Sequence, residues 1–244
     1  MNKIDFHSHI LPHIDDGAKD IETAIKILEE SFRQGVDGIV ATPHFKGNEE
    51  DVLPFVDNRQ KILEEVEKRA KELSVEIPKI YYGAEVAVSP GLSEFTNLRS
   101  LCIENTDYIL LEMPYSYWYD AIFDEIYKII VKRGLIPVIA HIERYFIKKT
   151  NKEQYSKLFV MDIVLQFNAV SFCSFNSRKR VKNIMKDNYE LPFVLGSDCH
   201  DLGYRKTLYK KACHSIIKSF GEDFFNNMIL TAEKILKNLR TDQF

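Results

Sequence analysis

Several things are missing from this 244-residue sequence, and each absence closes off a class of protein. Only four cysteines are present, Cys102, Cys173, Cys199 and Cys213, none of them in a C-x-x-C pair. No disulfide framework is expected, and the chain reads as reduced and cytoplasmic. Behind Met1 there is no apolar leader core; the chain runs straight into IDFHSH. The most apolar stretch, IYKIIVKRGLIPVIAHI, is broken by Lys128, Lys132, Arg133 and Pro137, so it is not expected to insert in a membrane. Basic and acidic residues number 33 and 36, a net charge of -3, without the basic excess of a general nucleic-acid binder. No repeat, low-complexity tract or Pro/Gly/Ser-rich linker divides the chain, and one domain spanning 1–244 is the economical reading.

What is present is an alternation of short apolar runs with amphipathic stretches. KIDFH, VDGIVATPH, PKIYYGAEV, DYILLEM, IPVIAHI, IVLQFN and PFVLGSD have the composition of strands. Helices are expected over 20–35, 55–73, 119–134 and 152–161, and again from Arg205 onward. In the first of these, Ile21, Ala24, Ile25, Leu28 and Phe32 recur at helical spacing before Gly35. About seven strands, most separated by helices, is the pattern of parallel βα units. Periodicity leaves a closed barrel and an open sheet both possible.

The strand runs end in residues that bind metals. KIDFHSH ends in His7 and His9, GIVATPH in His44, YYGAE in Glu85, YILLE in Glu112, PVIAH in His141, and FVLGSDCH in Asp198 and His200. Carboxyl ends of parallel strands converge on one face, which is where such folds carry their sites. A single histidine or glutamate at a strand end is ordinary. Six strand ends bearing them together need a cation to offset repulsion and desolvation. The His-x-His spacing puts His7 and His9 on one side of the pleat; by the same alternation Asp5 is expected on that side, one layer deeper. Nitrogen and oxygen donors without cysteine suit Mn, Fe or Zn better than Mg or Ca, and the number of candidates suits two or three ions. Spacing does not separate Asp15 from Asp16, and His13 is expected as a bystander on the rim.

In their order, DFHSH, ATPH, GAE, HIER and SDCH resemble the motifs of the PHP (polymerase and histidinol phosphatase) superfamily. Within it, HILPHIDDGAKD followed by ATPHF, YYGAEV, YILLEMP, PVIAHIERY and GSDCH is similar to the bacterial tyrosine phosphatases of capsule and exopolysaccharide loci, the CpsB/CapC type. The likeness runs from about residue 3 into the C-terminal helices. It implies a single-domain α/β fold, a distorted (β/α)7 barrel of TIM type. It also implies two or three divalent ions, manganese foremost, with iron or zinc as alternatives and magnesium less suited. His7, His9, Glu85 and Asp198 would hold one ion. His44 and His141 would hold a second with Glu85 bridging, and Asp16, Glu112 and His200 a third. Only the resemblance selects Asp16 over Asp15. Arg144 and Arg205 match the phosphate-contacting arginines. The implied substrate is a phosphotyrosine-bearing protein, the tail of a bacterial tyrosine kinase of capsule synthesis. Asp201, where the family often has Asn, and NAVSFCSF, where a richer Ser/Thr/Gly stretch is expected, depart from the pattern and concern substrate contacts.

The chemistry expected is metal-assisted hydrolysis, a hydroxide bridging two ions attacking phosphorus in line, with Arg144 and Arg205 forked onto the phosphoryl oxygens. Cys199 and Arg205 also have the C-x5-R spacing of cysteine-dependent phosphatases. HDLGY between them is poor material for a phosphate-cradling loop, and a pleat that turns Asp198 and His200 to the metals turns Cys199 away. PYSYWYDAIF is expected either to wall a phosphotyrosine pocket or to pack on the barrel. KGNEEDV is expected as a mobile charged loop at the mouth. Three rivals share parts of this pattern: a small-molecule phosphatase acting on histidinol phosphate or a sugar phosphate, a phosphodiesterase, and a non-enzymatic regulator.

Overall fold

The computed structural model describes residues 2–146, 154–186, 188 and 190–241. Its elements run β1 (Ile4–Ser8), α1 (Ile21–Arg33), β2 (Gly38–Ala41), β3 (His44–Phe45), α2 (Val52–Leu73), β4 (Lys79–Tyr82), β5 (Glu85–Ala87), β6 (Tyr108–Glu112), α3 (Asp120–Arg133) and β7 (Ile136–Ile139). They continue with α4 (Ile142–Tyr145), α5 (Tyr155–Phe159), β8 (Val164–Asn168), α6 (Phe175–Lys186), β9 (Phe193–Gly196), α7 (Tyr209–Phe220) and α8 (Glu222–Leu236). Among the described residues no helix is long and apolar enough to cross a membrane.

Every strand pairing is parallel, with β1, β2 and β4 in one sheet and β3, β5, β6, β7, β8 and β9 in another. The two are one layer broken twice. The expected strand 36–44 is interrupted at Thr42 and Pro43, the latter with no N–H for the ladder. The strand 78–86 is interrupted at Gly83 and Ala84. Taking β2/β3 and β4/β5 each as one kinked strand leaves seven, paired in chain order. The chain beyond β9 then returns to β1: the Asp198 N–H donates to the His7 carbonyl at 2.7 Å and the His9 N–H to the Cys199 carbonyl at 2.9 Å. This is the distorted (β/α)7 arrangement that the motifs implied.

Two apolar layers hold it. The larger lies between strands and surrounding helices, as with Ala24, Ile25 and Leu28 of α1 against Ile39. Asp20 starts that helix by accepting from the Thr23 N–H at 2.7 Å. The smaller layer gathers inward side chains of six strands, among them Phe6, Val40, Leu110, Val138, Val164 and Val194, and Ala232 and Ile235 of α8 close it. Alternation along β6 divides the two: Leu110 joins the inner cluster, Ile109 and Leu111 the outer.

Four sequence expectations need correction or trimming. The strand expected through Ile142 stops at Ile139, because His141 turns into left-handed backbone at φ 32° and α4 follows. KGNEEDV is ordered structure: Asn48 and Asp51 cap a 3-10 turn reciprocally, and buried Val52 begins α2. Helix α6 was not anticipated, since Val181, Ile184 and Met185 make only a thin apolar seam among basic residues. Of the helix expected over 152–161, Lys152 and Glu153 lie outside the described residues, and α5 covers Tyr155–Phe159.

Candidate metal centre

The site begins with an irregularity in β1. Asp5 pairs with Ile39 but Ser8 with Ala41, so β1 carries one residue more than β2 opposite it. Such a bulge re-aims side chains. Phe6 enters the inner cluster, and His7, its neighbour, turns to the site with His9. The expectation that Asp5 shares their side therefore fails. Its Oδ1 accepts from the Ser197 N–H at 2.6 Å, and it lies close to Tyr209 and Cys213 of α7. Burial pushes its carboxyl up to about 6.

Glu85, buried at the start of β5, meets four imidazoles. Its Oε2 lies 3.2 Å from His7 Nε2, 3.3 Å from His9 Nε2 and 3.0 Å from His44 Nδ1; its Oε1 lies 2.7 Å from His141 Nε2. His44 stands directly opposite Glu85 in the β3–β5 register. Burial alone would raise the Glu85 carboxyl, but His7 and the hydrogen-bonded imidazoles hold it well below the usual range. Asp198, on left-handed backbone at φ 53°, completes the inner group, its Oδ1 3.5 Å from His9 Nε2 and 3.6 Å from His200 Nδ1. Left-handed backbone costs a non-glycine residue about 1 kcal/mol or more, and His141 and Asp198 both adopt it here.

Asp15 and Asp16 have different places. Asp15 Oδ2 accepts from His9 Nδ1 at 2.6 Å and from the His44 N–H at 3.0 Å, and its Oδ1 accepts from the Gly17 N–H at 2.8 Å. It orients His9 and is turned away from the donor cluster. Asp16 is the more exposed, with Oδ1 3.5 Å from both His44 Nε2 and His200 Nε2. Donor atoms gather in three overlapping groups: His7, His9 and Glu85; His44, Glu85 and Glu112; and His9, Asp16, His44 and His200. Glu112 thus falls with Glu85 and His44, and not with Asp16 and His200 as the resemblance implied. Its position in β6 opposite Ala87 puts it one strand away from Glu85. Burial and then the Glu85 charge raise its carboxyl. His13 is exposed, apart from these groups.

Two residues that the sequence reading passed over complete the frame. Gln166 and Asn168 of β8 are fully buried, at the i, i+2 spacing that reveals an inward face. Gln166 Oε1 lies 3.0 Å from His7 Nδ1 and accepts the His141 N–H at 2.7 Å, while its amide donates to Asn168 Oδ1 at 2.9 Å. Asn168 Nδ2 in turn donates to Asp198 Oδ2 at 2.9 Å. The same period-two rule applied to VLQFN would have found both.

This frame tests whether the residues suit a metal. Gln166 Oε1 and Asp15 Oδ2 fix protons on Nδ1 of His7 and His9. With both imidazoles neutral, as metal ligands must be, their Nε2 atoms carry lone pairs, yet they stand 3.0 Å apart and face the same Glu85 oxygen. Lone pairs so placed repel unless a cation lies among them. Bonds of about 2.1 Å to one ion give ligand spacings of this size. The carboxylates attract positive charge generally: burial works against a charged His9, but Asp15 and Glu85 outweigh it and push the imidazole up to about 10. The residues fit a divalent ion.

Arg144 and Arg205 meet at Asp198. Arg144 Nη2 pairs with Asp198 Oδ2, and Arg205 Nη2 lies 2.8 Å from Asp198 Oδ1, with Nη1 3.3 Å from Asp16. Each is about one-third exposed. Asp201 shapes the loop that carries Arg205, its Oδ1 accepting the Gly203 N–H at 2.5 Å and the Arg205 N–H at 3.2 Å. Cys199 is fully buried in the outer apolar layer, and burial pushes its thiol far up, against any thiolate role. The aromatic segment is divided. Trp118 is buried core, whereas the Tyr115 ring lies against His141, centroids 6.1 Å apart and nearly parallel, with its hydroxyl 3.5 Å from Arg144.

Comparison with known proteins gives the family. The family model described as capsular polysaccharide synthesis, CpsB/CapC, matches residues 3–237. The tyrosine-protein phosphatase CpsB of Streptococcus agalactiae is 30% identical over 96% of this chain and 98% of its own. The CpsB of Streptococcus pneumoniae is 32% identical over 89% and 91%. A solved structure from work on YwqE of Bacillus subtilis and CpsB of S. pneumoniae, described as unique metal-dependent tyrosine phosphatases, superimposes with a TM-score of 0.82 at 26% identity, covering 99% of this chain and 97% of that one. The phosphotriesterase homology protein of Escherichia coli, at 10% identity and a TM-score of 0.60, shares the fold. With nearly its whole length matched, the chain belongs to the CpsB/CapC family of capsular polysaccharide synthesis.

Proposed function

We propose that this protein is a metal-dependent protein-tyrosine phosphatase, and that its substrate is the phosphorylated tail of a bacterial tyrosine kinase of capsule synthesis, reached in the cytoplasm. The observation that carries the proposal is Glu85, one buried carboxylate in contact with four imidazoles. In this reading His7, His9, Asp16, His44, Glu85, Glu112, His141, Asp198 and His200 would hold two or three divalent ions, manganese the first choice. Such ions would supply Lewis acidity, lowering the pKa of a bound water and offsetting the charge of the phosphoryl oxygens. The chain's own residues do the rest. Asp15, Gln166 and Asn168 fix the tautomers and directions of the ligands. Arg144 and Arg205, anchored on Asp198, present guanidinium N–H groups to the equatorial oxygens as charge accumulates on them. Tyr115 gives the phenyl ring an aromatic wall beside His141. A tyrosyl leaving group, with a pKa near ~10, asks little of a general acid.

A small-molecule phosphatase would share every ligand, so the substrate is the test. Metal-reconstituted protein is assayed on a phosphotyrosine peptide, histidinol phosphate and bis-p-nitrophenyl phosphate. The peptide is expected to be hydrolysed with the highest kcat/KM. A large preference for histidinol phosphate would sink the protein-phosphatase reading, and faster hydrolysis of the diester would make the protein a phosphodiesterase. His7→Ala and Arg144→Ala are expected to lose roughly a hundredfold or more in kcat/KM, as for removal of a transition-state contact, while Cys199→Ser keeps it.

A further inference from the structure

The charge of this chain is unevenly distributed. Helices α6 and α7 carry five and three basic residues respectively and not one carboxylate, although the whole chain is net -3. Elsewhere on the surface some cations are paired, as in Arg69 with Glu22, Lys128 with Glu125 and Arg240 with Asp162. Among the described residues, none of the cations on α6 or α7 has an ion-pair partner. Like charges three and four positions apart, such as Arg178, Lys179 and Lys182, cost a helix a few tenths of a kcal/mol per pair. A solvated basic face on one helix would be unremarkable. Here three cations of α6 and three of α7 line two hollows that share Lys218.

The two hollows form a trough on the outside of the barrel. One part, about 620 Å³, is lined by Arg178, Lys179 and Lys182 of α6 and by Lys218 of α7. A second, about 520 Å³, is lined by Lys211 and His214 and shares Ser215 and Lys218 with the first. Short stretches of chain link the trough to the candidate metal centre. Leu208, three residues past Arg205, lines one end, and α6 begins after the short turn that follows Asn168 of β8. Phe175, 73% exposed, supplies an apolar contact within it.

We infer that this trough binds an acidic segment of the phosphoprotein substrate, flanking the phosphotyrosine held at the metal centre. The inference rests on the phosphatase reading of that centre. A twelve-residue helix such as α7 is about 18 Å long, which an extended chain covers in about five or six residues. Cations spread along two neighbouring helices suit a polyanionic strand. A polypeptide long enough to reach from the trough to the centre would fill both places, so the docking energy would appear in KM for the peptide and not in the chemistry of the phosphoryl group.

The test separates docking from catalysis. A labelled unphosphorylated peptide with six consecutive Glu residues, and its Gln counterpart, are titrated by fluorescence anisotropy into the metal-loaded protein and into the variant Lys179→Glu/Lys182→Glu/Lys218→Glu. The acidic peptide is expected to bind the native protein, more weakly as salt rises, and to lose roughly tenfold or more in the variant. Phosphotyrosine peptides carrying the same two flanks are expected to differ by a similar factor in KM. The variant should abolish that difference while keeping native kcat/KM on p-nitrophenyl phosphate. Equal binding of the Glu and Gln peptides, or a variant that binds like the native protein, overturns the inference. So does a variant that loses binding only to anionic vesicles or to a DNA duplex. Acidic-peptide binding with neither phosphopeptide hydrolysed would overturn the phosphatase reading and leave the acidic-segment site supported.

Discussion

Asp15 and Asp16 are chemically alike and adjacent, yet one steadies a ligand and the other is placed to be one. The difference lies in what surrounds each: the His9 Nδ1 and the backbone N–H groups of Gly17 and His44 for Asp15, the outer imidazoles and the Arg205 guanidinium for Asp16. No spacing rule could reveal that, because the partners come from residues 44, 200 and 205. Asp15→Asn is expected to weaken metal binding about 10- to 100-fold at unchanged stoichiometry, whereas Asp16→Asn is expected to bind one ion fewer; equilibrium dialysis with elemental analysis distinguishes them. Asp5 makes a separate prediction. Its folded pKa of about 6 lies above the ordinary 3.8, so the folded state holds the proton more tightly than the unfolded one. The associated stability is present below about pH 4 and is lost as pH rises through 6. By linkage the loss is about 3 kcal/mol at pH 7. Asp5→Asn keeps an oxygen for the Ser197 N–H and removes the titration. It is expected to raise Tm at pH 7 to 8 and to leave it unchanged near pH 4, by thermal denaturation followed by circular dichroism.

At the level of elements, the inward faces were legible wherever a strand was regular and lost wherever it was not. His44, Glu85, Glu112 and His141 could be placed because each ends an apolar run. The bulge in β1 could not, since both Phe6 and His7 must be counted as inward and period two allows only one of them. The breaks at Thr42–Pro43 and Gly83–Ala84 carried punctuation that a reading for long strands overran. Helix α6 escaped because its three buried apolar residues sit among five cations, and those cations are now its most informative feature. The close approach of β9 to β1 makes a prediction of its own. A Cβ on Gly196 would fall 2.5 Å from His7 Cβ and 2.7 Å from Gln166 Nε2. Gly196→Ala is therefore expected to push His7 out of place, destabilise the fold by about 1–3 kcal/mol and reduce metal content. Retention of full metal content would show that β1 can shift without losing its ligands.

On the scale of the whole molecule, the two ends of the barrel have different tasks. Helix α8 puts Ala232 and Ile235 into the inner cluster, which otherwise comes largely from the strands, and the ligand candidates occupy the opposite, carboxyl ends. Ile235→Ala is expected to cost about 2–4 kcal/mol in chemical denaturation with kcat and metal stoichiometry unchanged; a matching loss of activity would show that the ends are coupled. The parallel βα pattern announced this class of fold, but the contact between its first and last strands depends on residues nearly two hundred positions apart and has no local signature. That contact has a further consequence. His7 and His9 follow from the first strand and Asp198 from the last, and two backbone hydrogen bonds join them. An ion shared by these side chains would act as a clasp on the seam of the ring. Chelation should then loosen the ring at one place: the amides of His9 and Asp198 are expected to exchange with deuterium faster in the chelated protein, while those of β6 and β7, across the barrel, keep their protection.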